Sequence, residues 1–385
     1  MRGVFLMTDI RESCENKPAK RQYWLDVARA VAIISITFNH ALSRSFHTRS
    51  ETLQEFLLMP APESFLKAFL YVFSRIGVPL FLMITGALLI PRDYENKETT
   101  KQFIRHNWWG LLRTTLIWLI IMFFYLQVLN GSLLRPQEYF RILKELIGTL
   151  LFLNQKTLPN MWYMPMILCV YLMIPVIAIA IKKLGNKYIF ALSAILLIGA
   201  VIIPNVNEII YAAGSDFYIS WEINYRDIFS MYFLYVLAGY WISIGKLQKL
   251  KSVWLWLILI VSTLATTLFQ YWIYSTPSDY FLNTSDLGII VITASLFEII
   301  RRRSKSTPVL SRIVTLLARI AFGIYFIHIC IMTVMTVVFD KMIPDFYHFP
   351  RFLVLEIVSF AGSVLIIMIT SKLRFFRKYL YLIKD

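Results

Sequence analysis

The chain has 385 residues, 58% of them hydrophobic, with a mean hydropathy of +0.63 and a formal net charge of +16. That composition excludes an ordinary soluble domain and a disordered chain, both of which are far less apolar. In a soluble protein the positive charge would suggest nucleic acid; here its placement along the chain argues for membrane topology instead.

The first 22 residues mix charges (Arg2, Asp9, Arg11, Glu12, Glu15) without the apolar core of a signal peptide, so they read as an uncleaved N-terminal tail. Ten stretches then approach the roughly 20 apolar residues that a bilayer crossing needs. They lie near 23–42, 68–90, 108–129, 161–181, 187–203, 228–245, 253–274, 281–300, 314–339 and 352–371. Residues 141–153 are apolar but too short to span and read as an interfacial or re-entrant piece. Strand-length alternation is absent, so the spans are helices. With the N-terminus inside, the inner segments hold 25 Lys and Arg and the outer segments hold 9, which places both termini in the cytoplasm. Trp and Tyr cluster at the span ends, as interfacial belts do. The expected fold is therefore an all-α, polytopic integral membrane protein of about ten transmembrane helices. A tail at 1–22 precedes one membrane domain at 23–371, and a basic cytoplasmic tail follows at 372–385. Cys14, Cys169 and Cys330 are an odd set without metal spacing and imply no disulfide framework.

Soluble-enzyme motifs fail on inspection. GYWISIGK (239–246) has one residue too many between its glycines for a phosphate-binding loop, and SFLK (64–67) lacks the partner motifs of a Ser-x-x-Lys pair. The intramembrane ionisable residues are better candidates, because each costs roughly 2.5–3.5 kcal/mol to insert and is seldom retained without a role. In YWLDVARAVAIISITFNHAL, Arg29 and His40 are eleven positions apart, which brings them within about 20° of one direction and about 16 Å apart along a helix. Asp26, three residues before Arg29, is placed to orient its guanidinium. Pro79 would kink the second span, beside which Arg75 could bind substrate or reach the headgroups. Thr85-Gly86 gives a small face for close helix approach. Lys101, Arg105 and His106, with Arg113 further in, could bind phosphates or simply enforce topology. Trp162 and Tyr163 could stack on a sugar or belong to an interfacial belt. In the ninth span Arg319 and His328 lie half a turn apart, so a straight helix cannot aim both at one point. Asp286 and Glu356 are lone carboxylates that could pair with an intramembrane arginine.

At these residues the sequence resembles membrane acyltransferase family 3. RQYWLDVARAVAIISITFNHA is similar to the family's opening span, with an arginine and histidine separated by ten residues (Arg29 and His40). GVPLFLMITGALL (77–89) resembles its second-span signature, with Thr85 where serine is usual. NMWYM (160–164), YVLAGYWI (235–242) and FGIYFIH (322–328) are similar to later landmarks in the same order. The resemblance covers residues 22 to 371. One feature departs from it: many members carry a basic pair three residues apart after span two, whereas Arg105 is followed by Trp108 and the next arginine is Arg113.

The resemblance implies a standalone O-acetyltransferase of the bacterial inner membrane, acting on surface polysaccharide such as enterobacterial common antigen or lipopolysaccharide O-antigen. It implies acetyl-CoA as a cytoplasmic donor substrate, no bound cofactor or metal, and a lipid-linked or surface polysaccharide as acceptor on the outer side. On that reading His40, Arg29 and Asp26 are catalytic, and Arg29, Arg105 and Arg113 bind the acyl-CoA. Arg75, Trp162, Tyr163, Tyr325 and His328 then contact the acceptor. The rival expectations are a secondary transporter or glycan flippase, which would also use buried charges, and a non-catalytic scaffold.

Overall fold

The computed structural model describes residues 22–46, 56, 58, 59–153, 158, 161–215, 217–220, 231–276, 286–304, 307–343 and 348–383. Residues 1–21, nearly all of the expected N-terminal tail and Cys14 with it, lie outside the described residues. So does Asn160 of the NMWYM motif. Among the described residues the protein is all-helical, without a strand.

The first element, α1 (Tyr23–Ser45), opens at the expected first span. The second span is two helices, α2 (Ala61–Ser74) and α3 (Gly77–Leu89), separated by a break at Arg75-Ile76. Pro79 sits in the first turn of α3, where its missing N–H costs no hydrogen bond, so the interruption falls ahead of it rather than at it. A short α4 (Lys97–Phe103) is capped by the Asn96 side chain and runs through a π-helical turn into α5 (Trp109–Leu129). The piece expected near 141–153 is the amphipathic α6 (Tyr139–Leu150), twelve residues long and too short to cross. Next come α7 (Tyr163–Leu184) and a fifth span longer than expected, α8 (Asn186–Leu197) and α9 (Ile203–Ala212) joined by a π-helical turn. The remaining helices are α10 (Tyr232–Ser243), α11 (Ser252–Tyr274), α12 (Leu287–Arg303), α13 (Pro308–Met342) and α14 (His348–Thr370).

Eight of the described helical stretches are long and apolar enough to cross a membrane. The other two expected spans are α10, with twelve described residues, and α12, with seventeen; both are shorter than the roughly 20 residues of a full crossing.

Helix α1 sits in the middle, packed against α2, α3, α12, α13 and α14. Helices α3 and α10 approach each other closely through two glycines. A Cβ added to Gly86 would lie 1.8 Å from the Val236 carbonyl oxygen, and one added to Gly239 would lie 2.0 Å from that of Met83. Each glycine thus admits the other helix's backbone, the small-residue packing expected where lipid supplies no hydrophobic drive between helices. The segment after α14 does not stand apart from the bundle. A π-helical turn (Phe376–Leu380) brings Leu380 and Tyr381 into the core, and the Trp118 indole donates to the Leu380 carbonyl at 2.9 Å.

Candidate active site

A partly open cavity of about 410 Å³ lies between α1, α3, α5, α7, α13 and the C-terminal segment. Three guanidinium side chains line it: Arg29 of α1, Arg92 just beyond α3, and Arg319 of α13. Asn107, Thr85 and Tyr171 add polar groups, and Tyr163, Tyr325 and Tyr381 add hydroxylated rings. Arg92 and Arg319 are exposed whereas Tyr325 and Tyr381 are buried, so the cavity has a cationic mouth at the surface and an aromatic end inside the bundle. Asp26, 1% exposed, accepts from Arg29 Nη1 at 2.9 Å and fixes that guanidinium against the wall.

Past the aromatic end lie the two imidazoles. The Tyr163 and Tyr325 rings are 5.8 Å apart between centroids, Tyr325 and His328 are 6.5 Å apart, and His328 and His40 are 5.3 Å apart. Trp162 continues the series on the other side, 6.3 Å from Tyr163. Four of the five residues expected to contact an acceptor thus form one aromatic run ending on His40. His328 is fully buried, and its Nδ1 lies 2.6 Å from the Ile324 carbonyl oxygen. A carbonyl can only accept, so Nδ1 carries the hydrogen and a neutral ring leaves Nε2 bare. Among the described residues that Nε2 has no hydrogen-bond partner.

The half-turn between Arg319 and His328 is resolved by what faces α13. Ala318, Arg319, Ala321, Phe322 and Tyr325 line the cavity across a broad wedge of the helix. Arg319 bounds that wedge on one side, near the mouth, and His328 stands on the other, about 14 Å further along. They need not aim at one point, because α1 supplies a partner at each level: Arg29 beside the same cavity, His40 against His328. Helices α1 and α13 therefore run parallel, each with its arginine toward one end and its histidine toward the other.

Other expected residues stand elsewhere. Arg105 is exposed on the π-helical turn and does not line the cavity; the neighbouring Asn107 does. Arg113 is exposed and lies over the Tyr379 ring at 4.4 Å, turned to the C-terminal segment. Arg75, at the break between α2 and α3, hydrogen-bonds the Tyr71 hydroxyl and stacks on its ring at 4.3 Å. Its neighbour Ser74 donates to Asn39 at 3.4 Å, which sets Arg75 at the level of His40 without joining the aromatic run. The two carboxylates expected to seek an arginine lie in different helices, Glu356 in α14 and Asp286 at the start of α12. Glu356 is bonded to the Thr37 hydroxyl at 2.6 Å, and Asp286 is buried at the start of α12.

Several residues of the site escaped sequence reading. Arg44, one turn beyond His40, is within electrostatic reach of Tyr125 and His328, but it follows the apolar run and reads as a loop charge. Arg92 reads as one more inner-side cation. Tyr381 and Leu382 belong to YLYLI, an aromatic-apolar stretch inside a basic tail, which was the available signal. Among the described residues no cluster of three His, Cys, Asp or Glu could hold a metal ion, and Cys169 and Cys330 are free thiols.

A family model described as an acyltransferase domain matches residues 22–371. No curated protein and no solved structure matches the chain.

Proposed function

Because the chain belongs to the acyltransferase family whose domain covers residues 22–371, we propose that it is an inner-membrane O-acetyltransferase. It moves an acetyl group from cytoplasmic acetyl-CoA to a hydroxyl of a lipid-linked surface polysaccharide. The observation that carries this reading is the order of side chains: three arginines and the Tyr163 and Tyr325 rings line the cavity, and the His40–His328 pair lies beyond its lining, in ring contact with Tyr325. Arginines are suited to phosphate oxygens through paired N–H donors, and a donor rich in phosphate fits a cationic mouth. A cavity of about 410 Å³ is within the usual ligand range of roughly 300–1,000 Å³.

On this reading Arg29, held by Asp26, together with Arg92 and Arg319, binds the donor's phosphates. The pantetheine arm follows the tyrosines, and the thioester reaches the imidazole end. His40 removes the proton of the acceptor hydroxyl as that oxygen attacks the thioester carbonyl carbon. The carbon–sulfur bond breaks, and the proton passes from His40 to the leaving thiolate, giving the ester and free CoA. His328, its Nδ1–H committed to Ile324, packs its ring 5.3 Å from that of His40 and limits how the His40 ring can turn. Trp162 and Tyr163 stack on the sugar.

The test uses purified protein in vesicles with radiolabelled acetyl-CoA and lipid-linked glycan. The wild type should transfer label, and His40→Ala should lower the rate by ~10²–10⁴ while remaining folded. Undiminished transfer by His40→Ala would remove His40 from the reaction. Glycan movement independent of acetyl-CoA would replace the enzyme with a transporter.

A further inference from the structure

A second concavity, about 570 Å³, opens between α8, α10 and α12, away from the arginine-lined cavity. Its wall is almost wholly apolar. Ala238 and Ala294 on facing helices leave the space, and Phe190, Trp241 and Ile242 line it. At one end stand two ammonium groups, Lys187 and Lys246, both exposed, and no Asp or Glu is among the described lining residues.

That polar end is built. The Trp241 indole donates to Asn186 Oδ1 at 3.2 Å and its ring lies 5.7 Å from Phe190, tying the start of α8 to α10. Lys246 follows Gly245, whose φ of 82° turns the chain out of α10. The loop after it is pinned by Arg302, which donates to the Leu247 and Leu250 carbonyls at 2.5 and 2.7 Å. Arg302 is itself paired with the fully buried Glu298, which also holds Arg301. The lysine is thus carried on a fixed loop at the rim of an apolar slot.

From this we infer that the slot is a binding site for an anionic glycerophospholipid, one acyl chain in the groove and the headgroup phosphate between Lys187 and Lys246. A zwitterionic lipid offers the same chain without net charge to answer two ammonium groups that meet no carboxylate among the described lining residues. Free phosphate offers the charge and has no use for the groove. Basic pockets between membrane helices are suited to anionic headgroups for this reason.

Native mass spectrometry on the full-length protein, detergent-purified and titrated with phosphatidylglycerol, phosphatidylcholine or inorganic phosphate, tests the assignment. Phosphatidylglycerol should be retained in preference to phosphatidylcholine, and excess inorganic phosphate should not displace it. The double variant Lys187→Gln, Lys246→Gln should weaken phosphatidylglycerol retention about ten-fold or more with an unchanged melting temperature. Ala238→Trp should fill the groove and abolish retention with both lysines intact. Equal retention of the two lipids, wild-type retention by the lysine variant, or displacement by inorganic phosphate would each overturn the site.

Discussion

Helices α1 and α11 are each 23 residues long and each long enough to cross a bilayer, but they meet different surroundings. In α1, 61% of the most apolar window is buried inside the protein; in α11 the figure is 17%. The buried helix is the less apolar of the two, and it carries Asp26, Arg29, Ser35, Thr37 and His40. In water the reverse would hold. Where lipid is the solvent, apolar side chains cost nothing on the outside, and polar ones are driven inward to find partners. Asp26 meets Arg29, Ser35 donates to the Phe73 and Ser74 carbonyls, and Thr37 meets Glu356. Helix α11 exposes Val253, Leu257, Ile260, Val261, Leu264 and Leu268 on its outer face and buries only Leu255 and Ile273 of its aliphatic side chains.

The contrast predicts a graded set of losses. The largest belongs to the inner contacts made through backbone. Gly239→Leu places a side chain where the Met83 carbonyl lies, so we expect no folded, monodisperse protein on size-exclusion chromatography. Leu264→Ala on the outer face of α11, 47% exposed, should elute as wild type. If both behaved alike, the inner-outer distinction would fail.

Next comes charge at the cavity. Arg29→Ala removes charged hydrogen bonds worth about 1.5–3 kcal/mol, so kcat/KM for acetyl-CoA should fall roughly 10–100-fold. Arg29→Lys should recover only part, having lost the planar fork. A normal KM for the donor in Arg29→Ala would detach the guanidinium from donor binding. A finer comparison sets two cations of the same inner stretch against each other. Arg92→Ala should raise KM for the donor about ten-fold, and Arg105→Ala should change it less than about two-fold, because Arg92 lines the cavity and Arg105 does not. The opposite order would return the donor site to the π-helical turn.

The smallest effect concerns the C-terminal turn. Trp118→Phe keeps a ring for stacking on Phe326, 4.7 Å away, and deletes the hydrogen bond to Leu380. We expect a loss of about 1 kcal/mol, visible as faster amide exchange at residues 376–382 with little change elsewhere. Unchanged exchange there would mean that the bond does not hold the segment.

What could be read from the sequence followed the same physics. Run length gave the helices and their order, because a bilayer imposes one length on every crossing. The stripe of Arg29 and His40 was legible since two residues on one helix are related by its pitch alone. Contacts between helices were not. That His328 would meet His40, or that Tyr381 would come back to Tyr325's cavity, depends on which helices are neighbours, and apolar periodicity carries no partner label. Arg105 and Arg92 show the limit plainly: both are arginines in the stretch between the second and third spans, and nothing in their local sequence says that Arg92 lines the cavity while Arg105, on the π-helical turn at Ile104–Trp108, does not.

The parallel pairing of α1 with α13 has a metrical consequence. Two covalent rods, eleven residues on one and nine on the other, hold the guanidinium level and the imidazole level apart, by about 16 and 14 Å respectively. The pair acts as a ruler graduated in single residues. Inserting one alanine between Arg29 and His40 would lengthen one edge by about 1.5 Å and swing its imidazole through about 100°, so reach and aim cannot be altered separately.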